Sequence, residues 1–211
     1  MRETYPLARN ISILRPGSDH ATRACSGKVM KFFPFPRKRR DPRIAALYGA
    51  IVAQARHPTF YTAYGVPDTV AGRFDMIVLH LALLLHRLAA ESGPDRAVGQ
   101  GVFDIFCSDM DAHLREMGVG DLAVPRRMRG VAEAFYGRQT AYSAAIAADD
   151  MQALKDSLAR NVFSGRPKEA RRLAAYMREA AGRLARQDAA ELMAMRLAWP
   201  DPNAISAVVP C

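Results

Sequence analysis

Residues 68–92 read DTVAGRFDMIVLHLALLLHRLAAES, and this stretch decides the fold class. Phe74, Ile77, Val78, Leu81, Leu84, Leu85 and Leu88 recur at the spacing of one helix face. Asp68 is placed to cap the start, and Ser92-Gly93-Pro94 stops the run. Its most apolar part, Met76 to Leu85, is interrupted by His80 and closed by His86 and Arg87. A membrane-crossing helix needs about 20 apolar residues. The run therefore predicts a helix of a protein core.

Helical spacing continues on both sides. Upstream, Asp41-Pro42 reads as the N-cap and first residue of a helix carrying Ile44, Leu47, Tyr48, Ile51, Val52 and Ala55, ended by Pro58. Phe60, Tyr61 and Tyr64 fall in a short segment closed by Gly65 and Pro67. Downstream, Val102, Ile105, Phe106, Met110, Leu114 and Met117 mark a long helix ending at Gly118. Past a tight loop, the helix after Pro125 carries Met128, Val131, Phe135, Tyr142 and Ile146. Asp149 or Asp150 caps the next, with Met151, Leu154, Leu158 and Val162. A last helix is predicted from Pro167 through Met195, with Leu173, Tyr176, Met177, Ala180, Leu184 and Leu192 as its apolar positions. No long alternating strand pattern occurs. The expectation is an all-α protein: a compact multi-helix domain at 41–196, a disordered basic and aromatic extension at 1–40, and an irregular tail at 197–211.

The 211 residues carry a net charge of +9. That balance suits nucleic acid, an anionic membrane or an acidic partner. The charge concentrates beside three phenylalanines: Phe32, Phe33 and Phe35, then Arg37, Lys38, Arg39 and Arg40. Aromatic rings next to a cationic run suit a membrane surface, where each cation near anionic lipid contributes about 1 kcal/mol. A solvated arm is the plainer alternative. A ribosome or other RNA contact through this arm is the rival class. The chain has no helix-turn-helix, zinc-finger or RNA-recognition signature, so DNA is not expected. Cys25, Cys107 and Cys211 are scattered and odd in number, which points to a reducing compartment.

Catalytic signatures are absent from the sequence. There is no phosphate-binding glycine loop and no nucleophile elbow. Asp104, Asp109, Asp111, His113 and Glu116 share one helix, and Asp109 and His113 are four apart. A helical metalloenzyme using Asp109, His113 and Glu116 is the last-ranked alternative. The Glu-x-x-His pairs of di-iron bundles are missing, so no metal and no cofactor is expected. Asp111, Arg115 and Glu116 precede the Gly118 loop, whereas Arg126, Arg127 and Arg129 follow it. Paired across the turn they would be structural; displayed, they would form a bipolar docking surface.

Three blocks carry a family resemblance. The first is Phe60-Tyr61, Gly65-Val66-Pro67-Asp68-Thr69, Gly72-Arg73-Phe74-Asp75 and Leu79-His80. The second is Asp109-Met110-Asp111 with Leu114 to Asp121, and the third is Ala134-Phe135-Tyr136-Gly137-Arg138 with Ala141-Tyr142. In this order they resemble the ubiquinol–cytochrome c chaperone family, over residues 43–165. The resemblance implies a mainly helical, non-enzymatic assembly factor for the cytochrome bc1 complex. It implies cytochrome b or a bc1 assembly intermediate as client, and a small partner protein. It also implies a bacterial cytoplasmic location, peripheral at the inner membrane, or the mitochondrial inner membrane and matrix in a eukaryote. A client of this kind calls for an aromatic groove with a charged rim. Phe60, Tyr61, Tyr64, Phe135 and Tyr136 are candidates for the groove; Asp68, Arg73, Asp111, Arg115, Glu116 and Arg138 are candidates for the rim. For Phe135, core packing is the favoured reading, because a helical apolar stripe is usually core. Arg138 follows Gly137, whose lack of a side chain suggests close approach by a neighbouring helix or a client.

Overall fold

The computed structural model describes residues 41–91 and 94–206. Within them the chain forms eight helices: α1 (Pro42–Ala55), α2 (Pro58–Thr62), α3 (Val70–Leu88), α4 (Pro94–Glu116), α5 (Val124–Ala147), α6 (Met151–Asn161), α7 (Pro167–Arg186) and α8 (Ala189–Met193). There is no strand among the described residues, so the fold is all-α as the periodicity predicts. The aromatic and basic arm from Phe32 to Arg40 lies outside them.

Helix α3 is the axis of the molecule. Every residue from Asp75 to Leu85 is buried, not only the predicted stripe. A helix hydrophobic on all sides belongs in the middle of a protein. Helices α1, α4, α5 and α7 all pack against it, and α6 fills the space between α5 and α7. Leu79, Ala82 and Leu83 therefore meet neighbours on the faces that the stripe leaves out.

Local capping chemistry sets the element ends. The Asp41 carboxylate accepts from the Arg43 amide at 2.9 Å, starting α1 at Pro42 as expected. At α3 the cap is Thr69, whose hydroxyl accepts from the Gly72 amide at 3.1 Å. Asp68, the predicted cap, instead accepts from the Arg73 guanidinium at 2.8 Å. Asp150, not Asp149, caps α6, accepting from the amides of Gln152 and Ala153. The predicted last helix breaks at Gln187-Asp188, because the Asp188 carboxylate caps α8 and so ends the α7 register.

A histidine sits at the centre of the core. His80 is fully buried, with Nδ1 2.8 Å from the Met76 carbonyl. A carbonyl only accepts, so the proton is on Nδ1, and Nε2 accepts from the Tyr176 hydroxyl at 2.9 Å. The Gln54 amide donates to that hydroxyl at 3.0 Å. Burial pushes the His80 pKa down to about 4, so the ring is neutral and serves as a structural linker between α3 and α7.

Residues 197–206 are irregular and are docked on the helices. Leu197, Trp199 and Ile205 pack against the core. The segment's carbonyls lack a ladder of their own, so side chains of the body satisfy them. Tyr64 donates to the Pro202 carbonyl at 2.8 Å, and Arg172 donates to that of Ile205 at 2.9 Å. Thr59 donates to Asn203 at 2.8 Å. The result is a strap across α1, α2 and α7.

Candidate functional site: an apolar groove and a basic hairpin

Between α3, the α5–α6 turn and α7 lies an open groove of about 520 Å³. Leu83, Ile146, Met151, Leu154 and Ala181 supply apolar walls, with Gly182 of α7 between them. The rim carries His86, Arg87, Asp149, Asp150 and Arg178. Asp149 is held in the left-handed region, with φ 47°, a conformation in which aspartate is enriched. Burial lowers the pKa of His86, which keeps the ring neutral. Arg87 is tied down, donating to the Leu184 carbonyl at 2.9 Å and to that of Gln187 at 3.1 Å, and pairing with Glu91. Arg178 is exposed and makes no ion pair among the described residues.

Gly182 has no packing reason to be glycine. A β-carbon there would meet only the end of the Arg186 side chain, at 3.5 Å. Glycine in a helix interior costs about 1 kcal/mol relative to alanine. What its smallness provides is depth in the groove.

Helices α3 and α5 are joined by a nearly dry ion pair. Arg138 donates to Asp75 at 2.8 Å, with side-chain exposures of 18% and 10% respectively. It also donates to the Ala134 carbonyl at 3.1 Å, and its guanidinium lies 5.9 Å from the centre of the Phe74 ring. Burial outweighs the arginine's attraction and pushes the Asp75 pKa up to about 6. Arg138 is thus a lock between helices. Gly137 faces open space, so no neighbouring helix makes the close approach expected there.

The other residues singled out in the sequence do not assemble into one site. Phe60, a candidate groove wall, is a fully buried core residue, as is Phe135, for which core packing is the favoured reading, and Tyr64 is buried with them. Phe60 stacks edge-on against Tyr176 at 4.9 Å, and Phe135 lies 4.8 Å from Phe103. Tyr61 is half-buried and donates to the Ala55 carbonyl at 2.8 Å. Tyr136 is half-buried, 5.7 Å from Phe103. Asp68 and Arg73 form an exposed pair near Tyr61. Asp111 pairs with Arg115 at 2.7 Å, and Arg115 also binds Asp121 across the loop. Glu116 stands 3.9 Å from His113. Arg126, Arg127 and Arg129 are exposed and join none of these pairs, so they are displayed.

The three residues of the metal alternative are engaged with different partners. Asp109 accepts from the Tyr48 hydroxyl at 2.7 Å, whereas His113 is beside Glu116. Among the described residues no three His, Cys, Asp or Glu side chains come together to hold an ion. Cys107 is half-buried, and burial raises its thiol pKa to about 11.

The groove residues were not found from sequence. They come from α3, the region where α5 meets α6, and α7, and their apolar positions read locally as core. The one local sign was Gly182 inside an otherwise strongly helix-forming, Ala-rich segment.

The fold and the groove define an all-helical domain in which one buried helix is wrapped by the others. None of the helices among the described residues is long and apolar enough to cross a membrane. The chain belongs to the ubiquinol–cytochrome C chaperone family, whose model matches residues 62–199. The match extends through α6, α7 and α8 into the strap, past the 43–165 span of the sequence blocks, and it leaves α1 outside. The crystal structure of the Cbp3 homolog from Brucella abortus superposes with a TM-score of 0.74 at 37% identity, over 79% of this chain and 93% of that one. No curated protein matches the chain.

Proposed function

We propose that the protein is an assembly chaperone for the cytochrome bc1 complex and that it seats an apolar segment of newly made cytochrome b in the groove between α3 and α7. Family membership supports the chaperone role. The observation that carries the binding site is Gly182, which keeps the groove deep where nothing in the fold requires a glycine. Apolar walls suit a membrane-protein client, and Arg178 at the rim offers a charge to its polar flank. The protein works peripherally at the inner membrane, where that client is inserted. A small partner protein and the ribosome are further expected contacts, reached in part through the basic arm before Asp41.

Gly182→Leu tests the groove. The added side chain takes up part of its depth, and removing a helix-interior glycine favours α7 by up to about 1 kcal/mol. The variant should fold at least as stably as the wild type and lose co-purification with cytochrome b from detergent-solubilised membranes. Spectral cytochrome b and assembled bc1 should fall toward the level of a gene deletion. Wild-type bc1 levels in Gly182→Leu cells would remove the groove as the site. Wild-type levels in the deletion strain would remove the chaperone reading itself.

A further inference from the structure

We propose that the tip of the α4–α5 hairpin docks on an anionic lipid bilayer. Helix α4 ends at Glu116, and the chain turns through Gly118, with φ +81°, before α5 begins at Val124. Two large apolar side chains stand at the apex. Leu122 is 99% exposed and Met117 is 52% exposed. In the opening of α5, from 124 to 134, only Val124 is buried, so the tip projects clear of the core.

Behind the apex lie Arg126, Arg127 and Arg129, all exposed and without an ion pair among the described residues. Their position is locally unfavourable. Cations in the opening turns of a helix oppose its dipole. The first turn of α5 has no acidic residue, and its cap, Ala123, makes no side-chain hydrogen bond. The acids on the α4 side are largely committed: Arg115 holds Asp111 and Asp121, and Glu116 is beside His113. Among the described residues, an exposed leucine and three arginines without an ion pair stand at a helix start that has no side-chain cap. They complement a surface that is apolar beneath and anionic above.

The spacing suits that surface. With a rise of about 1.5 Å per residue, the three arginines sit roughly 3–8 Å along α5 from its start. Interfacial segments bury their apolar face about 5–10 Å into the headgroup boundary. With Leu122 and Met117 at acyl depth, the guanidinium groups meet the phosphates. An apex whose apolar side chains stand exposed matches a bilayer plane better than it matches a protein hot spot, which centres on a well-packed pocket.

The test uses the full chain and vesicles of phosphatidylcholine with or without phosphatidylglycerol. The chain has a single tryptophan, Trp199, which packs against the core, so Leu122→Trp adds a reporter at the tip. Its emission should shift to the blue, and be quenched by brominated lipid, with anionic vesicles alone. Replacing Arg126, Arg127 and Arg129 together by Gln should weaken partitioning on the order of a hundredfold, with unchanged circular dichroism. Unchanged Leu122→Trp emission on vesicles that bind the protein would overturn the proposal, because another segment would be making the contact. Wild-type partitioning of the triple variant would overturn it as well. So would a tip that stays in water on vesicles while Leu122→Asp abolishes capture of an acidic protein partner, since the surface would then be a protein interface.

Discussion

Replacing Arg138 by Met should destabilise the protein by about 3–5 kcal/mol, the usual cost of leaving a buried charge without its partner. The Asp75 carboxylate is 10% exposed, and its hydrogen bond from Arg138 is what pairs it across α3 and α5. Methionine keeps much of the arginine's apolar stem against Phe74 but cannot answer the charge. The loss has a definite pH dependence. The folded pKa of Asp75 is about 6, above the ordinary value of 3.8, so the folded state binds this proton more readily than the unfolded state. Its contribution favours the fold at low pH and is lost as pH rises through about 6. Without Arg138 the pKa rises further, and the defect should be largest above pH 7 and shrink toward pH 5. Changing both residues, Asp75→Leu with Arg138→Met, should cost far less than Arg138→Met alone, because no charge remains buried. Urea melts of the three variants at pH 5 and pH 7.5 measure this. A loss under about 1 kcal/mol at the higher pH would show that the pair is not the lock between α3 and α5.

Phe60→Ala should cost a similar amount, about 3–5 kcal/mol, for a fully buried aromatic truncated to a methyl group. Phe60 packs 5.2 Å from Tyr64, 5.5 Å from His80 and 4.9 Å from Tyr176. The strap rests on the same cluster. Tyr64 donates to the Pro202 carbonyl, and Trp199 lies edge-on to His80 at 5.1 Å. A cavity at Phe60 therefore loosens the strap together with the core. The single tryptophan reports it, and its emission should move to the red in the variant. Full stability with unchanged emission would show that these rings pack independently of the strap.

The substitution matters for function as well as stability. Phe60 was a groove candidate in the sequence and is a core residue in the structure. A bc1 defect in Phe60→Ala would thus follow from lost folded protein, whereas one in Gly182→Leu would come from a folded protein. The two variants separate stability from recognition.

The helices were legible because each apolar stripe repeats with helical spacing and ends at Gly, Pro or a capping Asp. Asp41-Pro42 starts α1 for local reasons, a carboxylate that caps the Arg43 amide and a proline in the first turn. The family was legible too, since its blocks run in order along α2 to α5. Choices between near-equal neighbours were not. Thr69 and Asp68 can both cap α3, and Arg73, on α3 itself, decides by drawing Asp68 away. Nor could the letters separate an aromatic in the core from one on a groove. Phe135 and Tyr136 are adjacent in sequence, yet one is sealed in and the other half-open, because helix rotation against α4 sets which faces inward.

The same division applies to the stretch from Asp68 to Ser92. Its sequence determined that a core helix forms there, since hydrophobic spacing and end signals are local properties of the chain. Only the tertiary structure decided that α3 is buried on every side, that Asp75 is locked by a residue 63 positions away, and that α3 and α7 leave a groove open over Gly182. Those outcomes depend on surfaces meeting across long separations, where shape and burial choose among residues that are equivalent as letters.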